Sequence, residues 1–87
     1  MKKLIEVDEG EGLESLLGET VTLLCANYFY TGKLIGVNQD DVLLEDAKIV
    51  YETGDWGTKD WKDAQALPTK KFYVRTAFIE SFGVLKV

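Results

Sequence analysis

The chain offers few side chains that could carry catalysis. It contains no histidine, so neither a Ser-His-Asp nor a Cys-His arrangement can form. The adjacent carboxylates at 40–41 and 45–46 would point to opposite faces of an extended strand and would not converge on one site. Three more acids, Asp55, Asp60 and Asp63, lack the alternate-residue spacing and the central glycine of a calcium loop. We therefore expect no enzyme, no metal site and no cofactor.

The charge balance argues against unspecific binding to nucleic acid. Fifteen acidic and ten basic residues give a formal net charge of -5. Charge-driven binding to phosphates needs clustered lysine and arginine, although a local basic face would still be compatible with this composition. The 87 residues, of which 46% are hydrophobic, predict a single domain over 1–87 with a thin core. Self-association would add stability to so small a core.

The lone Cys25 lies in the apolar run "VTLLCA" and predicts a small buried side chain, with no disulfide framework. It favours a reducing compartment. The start "MKKLIEV" is followed at once by Asp8 and Glu9, which is unlike a signal peptide, and no apolar stretch is long enough to span a membrane. We expect a soluble, cytoplasmic protein with no membrane partner.

The N-terminal region predicts one short amphipathic helix over about 8–17. Asp8 and Glu11 have the spacing of a capping box, and Gly18 would stop the helix. The residues between them include leucines at helical spacing: Leu13, Leu16 and Leu17.

From Thr20 onward the pattern predicts strands, because β-branched, aromatic and aliphatic residues alternate with polar breaks. Gly32 and Gly36, both inside the second strand, indicate a sheet that bends sharply. The expected fold is mostly β: the N-terminal helix, then a five-stranded, strongly bent, SH3-like small barrel or open roll. The strands are predicted at about 20–26, 28–37, 42–52, 70–76 and 77–84, with a long variable loop at about 53–69.

Both tryptophans, Trp56 and Trp61, lie in that loop, in "GDWGTKDWKDA". The segment "TKDWKDAQAL" could form a short helix with Thr58 as its cap and Pro68 just beyond its end. On such a helix Trp61 and Ala64 share a face. We favour Trp61 packing on the barrel or on a neighbouring subunit over an exposed stacking platform, and Trp56 is the better candidate to contact an outside partner.

Two segments, "LLGETVTLLCANYFYTGKLIGVNQDDVLLEDA" and "YVRTAFI", resemble the Sm and Sm-like proteins over about residues 13–84. The positions of the first Sm motif are taken by Gly32, Leu34, Gly36, Asn38, Asp41, Val42, Leu44 and Asp46. Those of the second are taken by Val74, Arg75, Thr76 and Ile79. Two positions depart from the family pattern: Asn38 replaces its aspartate, and Asp41 stands where the base-reading asparagine is found.

The resemblance implies a homo-oligomeric ring, commonly a hexamer or heptamer, in which the fourth strand of one subunit pairs with the fifth of the next. The implied interface residues are Phe72, Tyr73, Val74, Phe78, Ile79 and Phe82. The same assembly is expected from the residues themselves, because apolar strand edges must be paired, covered or charged. Family members bind short, often U-rich, single-stranded RNA around the pore. This implies an RNA site at Asn38, Gln39, Asp40, Asp41, Arg75 and Thr76.

Two functions follow from these observations. The first is an RNA-binding ring that acts as a chaperone or scaffold. The second is a structural or protein-interaction ring that binds no nucleic acid and meets another protein through the 53–69 loop. The site residues allow either: Arg75 could contact RNA or pair with local carboxylates, and an aspartate cannot donate to a uracil carbonyl as an asparagine amide can.

Overall fold

The structure, a computed structural model, describes residues 12–85. In them the domain is mostly β, as predicted, and it has six strands where five were expected. A 3₁₀ helix, Leu13–Leu16, precedes the sheet, and a 3₁₀ turn, Thr76–Phe78, joins the last two strands. The strands are β1 Thr20–Cys25, β2 Phe29–Val37, β3 Asp41–Glu52, β4 Asp63–Ala66, β5 Lys71–Arg75 and β6 Ile79–Gly83.

The six strands form one antiparallel sheet that does not close on itself. Its order is β4-β3-β2-β1-β6, and β5 pairs with β3 beside this path. Within residues 12–85, β5 pairs only with β3 and β6 pairs only with β1. Each of these two strands, like β4, therefore has one edge without a partner strand among the described residues.

The N-terminal element differs from the expected helix. The capping box of Asp8 and Glu11 lies outside the described residues, and the described part contains a single 3₁₀ turn over Leu13–Leu16. Gly18 ends this segment with a φ of 92°, a left-handed conformation that glycine adopts without strain. Its N–H donates to the Leu34 carbonyl at 2.8 Å, which ties the turn to β2. The first strand, β1, therefore begins at Thr20, shortly after the 3₁₀ helix ends at Leu16.

The long strand β3 has two different partners along its length. Its residues 41–45 pair with β5, and its residues 48–52 pair with β4. Between the two halves, Asp46 has a φ of 53°, and the β2–β3 register shifts in the same region. This bulge redirects the strand, as bulges do at the corners of curved sheets.

The second half of β3 explains the additional strand. Β4 lies inside the segment predicted as a loop with a possible helix, and that helix prediction is wrong: "DAQA" is extended and pairs with β3. The chain leaves β4 through Leu67, whose N–H donates to the Ala47 carbonyl at 2.9 Å. Lys70 then accepts a bond from the Asp46 N–H at 3.3 Å and leads into β5. The β4–β5 connection is thus anchored on the bulge.

The core is built from side chains of β1, β2, β3 and β5. Β1 supplies alternate apolar residues to it, and Leu13 and Leu16 of the 3₁₀ helix pack against it. Two threonines are also buried: the Thr31 hydroxyl donates to the Val21 carbonyl at 3.0 Å, whereas Thr22 Oγ1 has no hydrogen-bond partner. The main core cluster consists of Val21, Leu23, Cys25, Leu34, Val42, Leu44, Ala47 and Val74.

Helices of the length and apolarity needed to cross a bilayer do not occur between residues 12 and 85.

Candidate functional site

The β2–β3 turn and the end of β5 meet at one end of the sheet. The β3–β5 register places Asp41 directly opposite Arg75. The structure therefore brings together the six residues that the Sm resemblance grouped, although they lie more than thirty positions apart in sequence. We call this group the turn cluster: Asn38, Gln39, Asp40, Asp41, Arg75 and Thr76.

Asn38 orders the turn through its side chain. Its Oδ1 accepts bonds from the backbone N–H groups of Asp40 at 2.8 Å and Asp41 at 2.7 Å. Its own N–H donates to the Asp41 carbonyl at 3.0 Å. This is the local bonding that favours asparagine in turns. Because the side-chain oxygen is engaged, the amide NH₂ is the group that Asn38 can offer a ligand.

Thr76 fastens the turn to the end of β5. Its hydroxyl lies 2.9 Å from the Gln39 carbonyl and 3.1 Å from the Asp40 carbonyl, and its N–H donates to the Asp40 carbonyl at 2.9 Å. These contacts hold two distant segments of chain in one geometry. Thr76 therefore positions the turn cluster. The exposed side chains of the cluster belong to its other members.

Arg75 is the only cation of the turn cluster and the only arginine in the chain. Its side chain is 70% exposed, and Nε lies 3.5 Å from Asp41 Oδ1. An ion pair this exposed contributes about 0–1 kcal/mol to stability. The terminal guanidinium nitrogens can still donate to a phosphate or a base edge. With Asp40 and Asp41 beside one arginine, however, the cluster carries one excess negative charge.

The predicted interface residues fall into two groups. Tyr73 and Phe78 are each 64% exposed and Phe82 is 43% exposed. Phe72 and Ile79 are half-buried against the core. Val74 is only 6% exposed, and its side chain belongs to the core. Alternation along β5 explains this, because successive side chains point to opposite faces.

An apolar groove of about 250 Å³ opens beside β5. Tyr30 and Phe72 form one of its walls, with ring centroids 5.3 Å apart. The alternation of aromatic residues along the strands had predicted that Tyr28 and Tyr30 belong to the core or to a subunit interface, but it did not predict this groove. The groove is lined by Cys25, Ala26, Asn27, Tyr28, Tyr30, Phe72, Tyr73, Val74 and Phe78.

Two titratable groups of this groove are shifted toward their neutral forms. Burial, with a smaller contribution from Glu80, raises the pKa of the Cys25 thiol. Burial also raises the pKa of Tyr30, with smaller contributions from Cys25, Tyr28 and Tyr51. Because a thiolate is the reactive form of cysteine, Cys25 is an inert part of an apolar surface at neutral pH.

Two of the three open strand edges in residues 12–85, those of β5 and β6, carry opposite charge. Β5 contains Lys71 and Arg75 and no acid, whereas the only charged residue of β6 is Glu80. All three side chains belong to exposed residues. A β5 edge and a β6 edge are therefore electrostatically complementary.

The two tryptophans have different environments. Trp61 is half-buried and lines a cavity of about 450 Å³ on the sheet, together with Lys33, Lys48 and Ala64. Trp56 is 55% exposed. The two indoles contact each other edge to face.

No group of three or more cysteine and acidic side chains within residues 12–85 could hold a metal ion. A scan against models of known protein families found no match, and a search of curated proteins found none. The Sm resemblance therefore stays a prediction, and any functional inference depends on the residues and geometry described above.

Proposed function

We propose that the chain is a subunit of a closed, Sm-like ring that binds single-stranded RNA. The observation that carries this proposal is the pair of open sheet edges, β5 and β6, with exposed aromatic residues and opposite charge. A strand edge of this kind is a template for pairing with another chain, and a soluble protein must pair it, cover it or charge it.

Pairing β5 of one subunit with β6 of the next would satisfy both edges at once. Such a contact is head-to-tail, so repetition closes a ring when the rotation between subunits permits. Glu80 of one subunit would then lie on a strand paired with the strand that carries Lys71 and Arg75 in its neighbour. The exposed Phe82 could enter the groove beside β5, whose aromatic lining suits it. In the single subunit the open edges of β5 and β6 would remain available until neighbouring subunits pair with them.

A ring would multiply the turn cluster around its axis. One Arg75 beside two aspartates is a weak ligand for an RNA phosphate, because the carboxylates repel it. Identical sites at fixed spacing bind one strand with much higher avidity than a single site does. Single-stranded RNA suits this arrangement, because its unstacked bases can lie on a guanidinium plane and use their edges for hydrogen bonds.

Native mass spectrometry with and without a short U-rich oligoribonucleotide tests the proposal. We expect a closed oligomer that takes up the RNA and releases it as salt rises. Arg75→Ala should keep the oligomer and lose the RNA, while Arg75→Lys, which keeps the charge without the planar guanidinium, should retain part of the binding. A monomer at micromolar concentration would contradict the ring. Unchanged RNA binding by Arg75→Ala would contradict the site.

The edges are tested separately by Phe82→Asp, which places a charge at the centre of the proposed contact. We expect this variant to dissociate toward monomers. Leu17→Asp is a matched control, because Leu17 is also about half exposed (49%) but lies before β1, outside β5, β6 and the groove. Equal dissociation of both variants would argue against assembly through β6.

A second candidate function is a structural ring without nucleic-acid binding. The excess negative charge of the turn cluster favours it, since Asp40 and Asp41 would repeat around the pore. A closed oligomer that ignores RNA at every salt concentration would select this alternative.

A further inference from the structure

The loop over residues 53–62, between β3 and β4, is a well-bonded surface feature that RNA binding leaves unexplained. Asp55 organises it: Oδ1 accepts from the Gly57 N–H at 2.9 Å, and the Asp55 carbonyl accepts from the Thr58 N–H at 3.1 Å and from the Thr58 hydroxyl at 2.7 Å. The base is closed by the Lys62 N–H, which donates to the Thr53 carbonyl at 3.4 Å. A surface that is already ordered loses little entropy when it binds.

This loop presents the only two tryptophans of the chain as a corner. The ring centroids of Trp56 and Trp61 lie 6.0 Å apart, and the ring planes meet at 80°. Trp61 is held against the sheet, whereas Trp56 is 55% exposed. In this edge-to-face contact the edge of one ring covers part of a face of the other, so the surface left for a cation is the exposed part of Trp56. The electron-rich face of an indole attracts a cation that approaches within about 6 Å of its centroid.

The charges around the corner favour the same class of ligand. Residues 52–63 contain four acids and two lysines, and one of those lysines, Lys62, lies 3.3 Å from Glu52. Asp55 and Asp60 directly precede Trp56 and Trp61 in the sequence. Lys33, Lys48 and Lys59 line the cavity beside Trp61 together with Glu45, Asp46 and Asp60, so the excess of acids belongs to the loop itself and not to that cavity. At the loop this excess would attract a basic polypeptide.

We propose that the Trp56–Trp61 corner binds a basic segment of a partner protein through an arginine side chain. A guanidinium can stack on an indole while its N–H groups bond to carboxylates, and both partners are present in this loop. The site lies at the opposite end of β3 from the turn cluster, because the loop follows Glu52 and the turn cluster includes Asp41. The subunit can therefore hold a basic peptide and an RNA strand at the same time.

Tryptophan fluorescence of the full chain reports directly on this site. We expect a saturable change on titration with a short arginine-rich peptide, weakened by added salt, and no such change with a glutamate-rich peptide of equal length. Trp56→Ala should weaken the peptide's binding by roughly three- to thirty-fold, the range for one cation–π contact. Trp61 remains as the fluorophore in that variant. Tyr51→Ala, which removes a similarly exposed aromatic outside the loop, should leave affinity unchanged.

Two single variants distinguish the peptide site from the RNA site. Arg75→Ala should bind the peptide normally, and Trp56→Ala should bind RNA normally. Equal peptide affinity of the parent chain and Trp56→Ala would overturn the proposal, as would the absence of any response to the peptide. A fluorescence change produced by U-rich RNA and abolished in Trp56→Ala would also overturn it, since the corner would then be a base-stacking surface.

Discussion

Replacing Gly32 by alanine is expected to destabilise the domain, whereas the same change at Gly36 is expected to have little effect. Both glycines lie in β2, and the sequence predicted that both mark the bend of the sheet. The difference comes from what a new methyl group would meet. At Gly32 it would lie 3.1 Å from Ala47 Cα, 3.2 Å from the Glu45 carbonyl oxygen and 3.2 Å from Leu44 Cβ.

The neighbours of Gly32 cannot move easily, because two of the three atoms are main-chain atoms beside the β3 bulge. Overpacking of this kind costs about 1–3 kcal/mol. The smaller conformational entropy of an unfolded chain with alanine offsets about 0.4–1 kcal/mol of that. We therefore expect Gly32→Ala to lower the free energy of unfolding by about 0.5–2 kcal/mol.

At Gly36 the closest atoms belong to one side chain. The added methyl would lie 3.3 Å from Leu43 Cβ and 3.7 Å from Leu43 Cδ2. Leu43 is only half-buried, so a small rotation can relieve the contact. The strain and the entropic gain then nearly cancel, and we expect a change within about 0.5 kcal/mol.

Thermal unfolding followed by circular dichroism compares the two variants with the parent chain. All samples need the same protein concentration, because any oligomer makes Tm depend on it. For a domain of this size, Gly32→Ala should lower Tm by roughly 2 to 16 °C. If Gly36→Ala proved equally or more destabilising, the close approach of β2 to the bulge would not explain the cost of adding a methyl group at Gly32.

Two further predictions concern buried polar groups. Thr22→Val should raise the free energy of unfolding by about 1 kcal/mol, because it removes a buried hydroxyl that has no hydrogen-bond partner. Thr31→Val should lower the free energy of unfolding by about 0.5–1.5 kcal/mol, because it removes the hydrogen bond to the Val21 carbonyl. Urea unfolding at fixed protein concentration measures both, and a destabilised Thr22→Val would contradict the assignment. The raised pKa of Cys25 predicts stability that is complete below about pH 8.5, where an exposed thiol begins to ionise, and that falls above it because the unfolded chain releases the proton first. Cys25→Ala should flatten this part of the profile of unfolding free energy against pH, and an equally steep profile would show that another group is responsible.

The strand pattern of the sequence predicted the mostly β character, because the alternation of apolar residues in β1 to β3 is strong. It did not predict β4. The segment "DAQA" has low intrinsic strand propensity, and it is extended because it pairs with the second half of β3. The length of β3, twelve residues, was the available signal: only its first half can pair with β5, so the second half needed another partner.

The turn cluster could be assembled in advance only through the Sm resemblance. Nothing in the spacing between the 38–41 turn and Arg75 predicts contact, which depends on the β3–β5 register and on the bonds made by Thr76. The roles inside the cluster were also beyond reach of the sequence. The Asn38 oxygen caps the turn, and Asp41 lies beside the guanidinium.

The bulge at Asp46 connects these observations. It lets one strand serve two partners, so that its first half carries the turn cluster with β5 and its second half carries the tryptophan loop with β4. Strand β5 is therefore held at the margin of the sheet with one edge open, and the tryptophan loop follows the other end of β3. If RNA binding and peptide binding both occur, they are expected to be thermodynamically independent, because distant sites without shared contacts add. Coupling between them would require the ring, since only a neighbouring subunit could bring a second copy of either surface close.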